Sequence, residues 1–186
     1  MTLFEYLAIA FSLVLSSAAM RLVAGLPHAF DRSRRYWVHC CFVVLGLFTV
    51  AVAFWVYWSY REATWDLPRF LVALTHLGTL YFLATTIVPE SPGGVVAWRE
   101  YYYSARVRYF SAVILLALTT AMNPTLLLAM PLRHPARLAH VSLLVSGIVG
   151  VSTANSRVHG GLAVFASGMT AILAFTVFLR ASSLAD

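Results

Sequence analysis

The chain has 186 residues, 61% hydrophobic and 11% charged, and its mean hydropathy of +0.81 excludes a soluble globular domain. All 13 basic residues are arginine, which excludes a retinal Schiff base and other lysine-dependent covalent chemistry. The net charge of +6 is carried at the ends of apolar runs and in short loops, a placement that suits anionic lipid headgroups as partners and not nucleic acid.

Crossing a bilayer takes about 20 mostly apolar residues. On that measure the chain reads as all-α, a polytopic membrane helix bundle forming a single transmembrane domain over 1–186. The expected six spans are Phe4 to Gly25, Tyr36 to Tyr60, Phe70 to Val88, Tyr109 to Met130, Leu138 to Ala154 and Gly161 to Leu179. The first span lacks a short apolar core followed by an A-x-A-type cleavage site, so it reads as a retained helix and not a signal peptide. Glu5 stands at its start and Arg21 one turn from its end.

The loop that follows carries Arg32, Arg34 and Arg35 with Asp31 as its acid, and the positive-inside rule assigns it to the cytoplasm. Both termini are then expected outside. The topology puts eight arginines inside (21, 32, 34, 35, 99, 106, 108, 157) and five outside (61, 69, 133, 137, 180). Arg32, Arg34, Arg35 and Arg157 are the candidate lipid-binding residues. In the second span Cys40 and Cys41 are adjacent, and the sequence holds no other cysteine to pair with; burial as small apolar residues outweighs soft-metal binding. Tyr57, Trp58, Tyr60 and Trp65 form an aromatic belt at one end of that span, and Tyr36 and Trp37 at the other.

His76 lies about two turns into the third span, beside Thr75 and Thr79. A turn at Ser91-Pro92-Gly93-Gly94 leads into an expected interfacial segment, 95–108, where Trp98, Tyr101, Tyr102 and Tyr103 interleave with Arg99, Arg106 and Arg108. The fourth span is interrupted by Asn123-Pro124. A kinked helix is expected, since a reversal would strand backbone groups in lipid unless it lines a cavity. With Thr119 and Thr120, Asn123 makes the most polar patch at mid-bilayer depth. These three residues are the candidate pathway or substrate contacts.

Ser142, Ser146, Gly150 and Ala154 recur every four residues in the fifth span, and Ala163, Ser167 and Ala171 in the sixth. Helices in lipid associate through such small faces, so these two spans are expected to form a tight hairpin, with a subunit interface as the alternative use. Leu15-Ser16-Ser17-Ala18 and Leu118-Thr119-Thr120-Ala121 are alike, which admits two inverted three-helix halves. His140 opens the fifth span near the depth of His76. A facing pair of imidazoles suits haem or a transition metal, and each suits equally well a hydrogen bond to a neighbouring carbonyl.

Phosphate loops, H-E-x-x-H, G-x-S-x-G, a T-V-G-Y-G filter and a regular arginine ladder are all absent, so ATP-driven pumping, zinc proteolysis and voltage gating lack support. Leu3-Phe4-Glu5-Tyr6-Leu7-Ala8, Tyr36-Trp37-Val38-His39, the Tyr101-Tyr102-Tyr103 run and Ser156-Arg157-Val158-His159 resemble a family of small uncharacterised bacterial membrane proteins. The resemblance implies a bacterial inner-membrane location and about six spans, and transfers no activity. The leading functional reading is a homo-oligomeric channel or carrier for a small solute or ion, without a cofactor. The alternatives are a haem- or metal-binding redox protein using His76 and His140, and a non-transporting sensor or partner subunit.

Overall fold

A computed structural model describes residues 3–134 and 136–182, with side chains for 4–134 and 136–175. The described residues form six α-helices: α1 (Leu3–Ala29), α2 (Trp37–Tyr57), α3 (Leu67–Ile87), α4 (Trp98–Leu127), α5 (Arg137–Ser152) and α6 (Ser156–Ser182). Short 3-10 turns follow α2 and α3. Helices are what a chain this apolar must form, because they satisfy their backbone groups without water. Asp66 caps α3 by accepting from the Arg69 backbone N–H at 2.9 Å, with Pro68 in the first turn.

Among the described residues five helices are long and apolar enough to cross a membrane, which fits a multi-pass membrane protein. The expected fifth span is the exception: α5 has 16 residues, about 24 Å of helix against a hydrocarbon core of about 30 Å. It begins below the end of α4, where Arg137 reaches back to Ala121.

Successive helices alternate in direction. Arg34 Nη1 donates to the carbonyls of Gly93 (2.9 Å) and Val95 (2.7 Å), and Trp98 Nε1 to that of His28 (2.6 Å), which binds the first and third loops together. The turn between α5 and α6 joins them, since His159 meets Tyr102. This is the basic end. At the opposite end Arg69 Nε donates to the Leu126 carbonyl at 3.2 Å. Arg180, counted there from the sequence, lies outside the residues whose side chains are described.

α1, α2 and α3 each pack on the other two, and their shared core includes the fully buried Leu22, Val43, Leu77 and Ala84. The second half is built differently: α5 packs mainly on α4, and α6 on α5 and α2. The small face of α5 therefore serves α4 and not the expected tight hairpin with α6. A Cβ at Gly147 would stand 2.6 Å from Ile114 Cγ1, and one at Gly150 would overlap the Phe110 ring, so backbone approach here requires glycine.

One further expectation is corrected. The segment 95–108 does not lie apart along the headgroups: from Trp98 it is the first three turns of α4, with Trp98 and Tyr102 inside the bundle. As expected, the chain does not reverse at Asn123-Pro124: α4 continues through the proline to Leu127.

Candidate functional site

Near the opposite end, four helices contribute to one buried polar cluster. Tyr57 ends α2, and its hydroxyl donates to the Ala73 carbonyl of α3 at 3.1 Å. The Asn123 side chain of α4 interacts with the same hydroxyl. Its Oδ1 is buried without a partner, and the residue is 2% exposed.

One turn earlier on α4, the Thr119 hydroxyl donates to the Leu115 carbonyl at 3.0 Å. Its oxygen also forms a hydrogen bond with His76 Nδ1, 3.1 Å away on α3, whose direction is set by the imidazole tautomer. The rings of Tyr57 and His76 lie 6.1 Å apart between centroids. His140 of α5 is near enough to His76 to interact electrostatically, and its Nδ1 is a second buried atom without a partner. Thus Thr119 and Asn123, expected as pathway residues, and His76 and His140, expected as a ligand pair, belong to one site. The Thr120 hydroxyl donates to the Leu116 carbonyl of its own helix at 2.6 Å.

The cluster lies toward one end of α4. Asn123 is four residues from the end of α4, about 6 Å of rise. α4 is longer than its apolar run, since it takes in the tyrosine-rich segment from Trp98.

Arg137 of α5 is bonded to the end of α4 that carries Asn123. Its Nη1 donates to the Ala121 carbonyl at 2.6 Å, and its Nη2 to Thr125 Oγ1 at 2.7 Å and the Met130 carbonyl at 2.8 Å. A guanidinium at a helix carboxyl end satisfies exposed carbonyls and complements the dipole. Tyr57 and Arg137 were the residues sequence reasoning missed. Tyr57 had been read only as part of an aromatic belt, and Arg137 only as a loop charge; the available signal was the proline, which loosens carbonyls that a nearby donor then occupies.

A second polar group lies at the basic end. Nε2 of His159 donates to the Thr153 carbonyl at 2.8 Å, which leaves Nδ1 to accept from the Tyr102 hydroxyl at 2.8 Å. Tyr36 and Tyr103 share a hydroxyl contact of 3.1 Å nearby. His39 is fully buried there with neither ring nitrogen paired, its face stacked on Trp98 at 4.4 Å and its edge toward Tyr101 and Tyr102. It serves as a ring among rings.

Among the candidate lipid-binding residues, Arg34 is occupied by Asp31 at 3.0 Å and by the third loop, whereas Arg32, Arg35 and Arg157 are exposed. Hydrogen bonds from Ser33 and the Arg34 guanidinium hold the Asp31 carboxyl below the usual carboxylate range. Cys40 is buried, with its thiol donating to the Ala29 carbonyl at 3.1 Å, and Cys41 is half-buried. Among the described residues, no group of three or more His, Cys, Asp or Glu comes together to hold a metal ion.

No family model matches this sequence, no curated protein matches it, and no solved structure matches the chain.

Proposed function

We propose that this multi-pass protein is a channel or carrier in which the Tyr57, His76, Thr119, Asn123 and His140 cluster contacts a small hydrogen-bonding solute or ion. The observation that carries the reading is the Asn123 carboxamide oxygen, sealed in the bundle with no donor. A buried polar atom left in this way costs about 1–3 kcal/mol, and most such atoms in folded proteins have partners. A small solute or a water hydrogen-bonded to the Asn123 oxygen would relieve that cost. Because Asn123 is 2% exposed, passage requires the last turns of α4 to part from α3 and α5.

The same reading locates the protein in a bacterial inner membrane with both termini outside, the arginine-rich end facing the cytoplasm. Homo-oligomerisation falls to α6, where Gly161 and Gly168 border open space and Phe165, Ile172 and Phe175 are exposed.

The test is flux into reconstituted vesicles, with glycerol and urea followed by light scattering and protons by an entrapped pH dye. Wild-type protein should accelerate at least one of the three, and Asn123→Leu should return it to the rate of protein-free vesicles. Fluxes at that baseline for the wild type, or an Asn123→Leu variant equal to it, would overturn the proposal. The nearness of His76 and His140 favours a redox protein as the second reading. A Soret band or stoichiometric metal in purified protein would put it first.

A further inference from the structure

We infer that the groove between α2 and α6 is a binding site for one anionic phospholipid, seated with its phosphate on Arg35 and an acyl chain running along α2. The groove, of about 810 Å³, is open on one side and separate from the polar cluster. It falls within the several-hundred-Å³ range of sites that hold small amphiphiles.

Its lining is graded as a lipid is. At the basic end stand Arg35, Tyr36 and Trp37, a cation with two interfacial aromatics. Deeper, α2 contributes Val44, Leu45 and Phe48, with no charged side chain along this stretch. The facing wall on α6 is made of Ser167, Thr170, Ala171 and Ala174, which are too short to close the gap, and the Ser167 hydroxyl already donates to the Ala163 carbonyl at 2.8 Å. From Trp37 to Phe48 the helix rises about 17 Å, close to half of a hydrocarbon core of about 30 Å. The groove therefore has the depth of one leaflet, which is what an acyl chain fills.

Charge selects the headgroup. Asp31, the acid of the first loop, is bonded to Arg34 at 3.0 Å, and Arg34 is further held by the third loop. Arg35 is exposed at the groove mouth beside Arg32, so the local field is positive. A phosphate with a neutral or anionic headgroup meets that field; a zwitterionic choline lipid brings its own cation.

The experiment uses the full chain, delipidated in detergent, with dipalmitoyl phosphatidylglycerol and phosphatidylcholine compared by native mass spectrometry. One phosphatidylglycerol should be retained in preference, by roughly fivefold, the usual effect of one basic residue near a lipid surface. Arg35→Gln should remove that preference, Arg157→Gln should keep it, and Ala171→Phe should reduce retention of both lipids by filling the groove. An undiminished preference in Arg35→Gln would overturn the inference. So would an Ala171→Phe variant that keeps both lipids, including one that changes oligomeric state while doing so, which would mark a second copy as the occupant. Should Ala171→Phe fail to fold, wild-type Cys41, which lines the groove, decides: its maleimide labelling should slow with phosphatidylglycerol and not with phosphatidylcholine. An unchanged rate with phosphatidylglycerol also overturns the inference.

Discussion

The two ends of the bundle each bury a histidine in contact with a hydroxyl from α4, yet they differ in what remains unpaired. At the basic end both nitrogens of His159 are engaged, one with the Tyr102 hydroxyl and one with the Thr153 carbonyl, and the buried atoms left unpaired there are the ring nitrogens of His39, which is stacked on Trp98, and Arg106 Nη1. At the opposite end the bonds between His76 and Thr119 and between Tyr57 and Ala73 leave Asn123 Oδ1 and His140 Nδ1 without partners. A closed set of hydrogen bonds holds helices together. An open set in the same kind of environment costs stability, and such costs gather where a site must receive something.

The sharpest way to break this comparison is to disable the closed set. His159→Leu strands the Tyr102 hydroxyl and the Thr153 carbonyl, and should lower the unfolding free energy by about 1–3 kcal/mol, measured by titration from mild detergent into SDS. Flux should be unaffected where the variant remains folded. A loss of flux with stability unchanged would reverse the roles assigned to the two ends.

Asn123→Leu should behave the opposite way, with flux abolished and stability altered by less than about 1 kcal/mol. It removes the orphaned acceptor along with a single bond to Tyr57, and interhelical hydrogen bonds in membranes average about 0.6 kcal/mol. A destabilisation as large as that of His159→Leu would mean that Asn123 is structural and its site already satisfied. Tyr57→Phe is smaller again. It deletes the donor to Ala73 while keeping the ring against Phe11 at 5.0 Å, so a loss of about 0.6 kcal/mol in the same titration is expected.

The two ends were also unequally visible in the sequence. Apolar runs bounded by arginine, tyrosine and tryptophan located the helices, because hydropathy and interfacial preference act residue by residue. Asn123, Thr119, His76 and His140 stood out for a similar reason, as polar types within apolar runs. Hydropathy could not reveal that α4 begins at Trp98, since a tyrosine-rich turn on a headgroup surface and one buried against His39 have the same composition. Nor could spacing say which neighbour a small face meets: Gly147 and Gly150 turn to Ile114 and Phe110 on α4, while the nearest helix in sequence was α6. Those choices depend on how six helices share one core, a property that no single helix carries.

The smallest expected effect tests what holds the basic end in register. Asp31 orients Arg34, and Arg34 carries the bonds to Gly93 and Val95 that fasten the first loop to the third. Because its hydrogen bonds hold the folded carboxyl below the unfolded value, its contribution is complete above the unfolded pKa and is lost as the pH falls through the folded one. Asp31→Asn should therefore show a slight stability deficit at neutral pH that vanishes under strongly acidic conditions, where the wild-type carboxyl is protonated as well. The carboxylate is solvent-accessible, so added salt should shrink the neutral-pH deficit too. A deficit that persists in acid would show that the carboxyl acts through its hydrogen-bonding shape in the loop and not through its charge on Arg34.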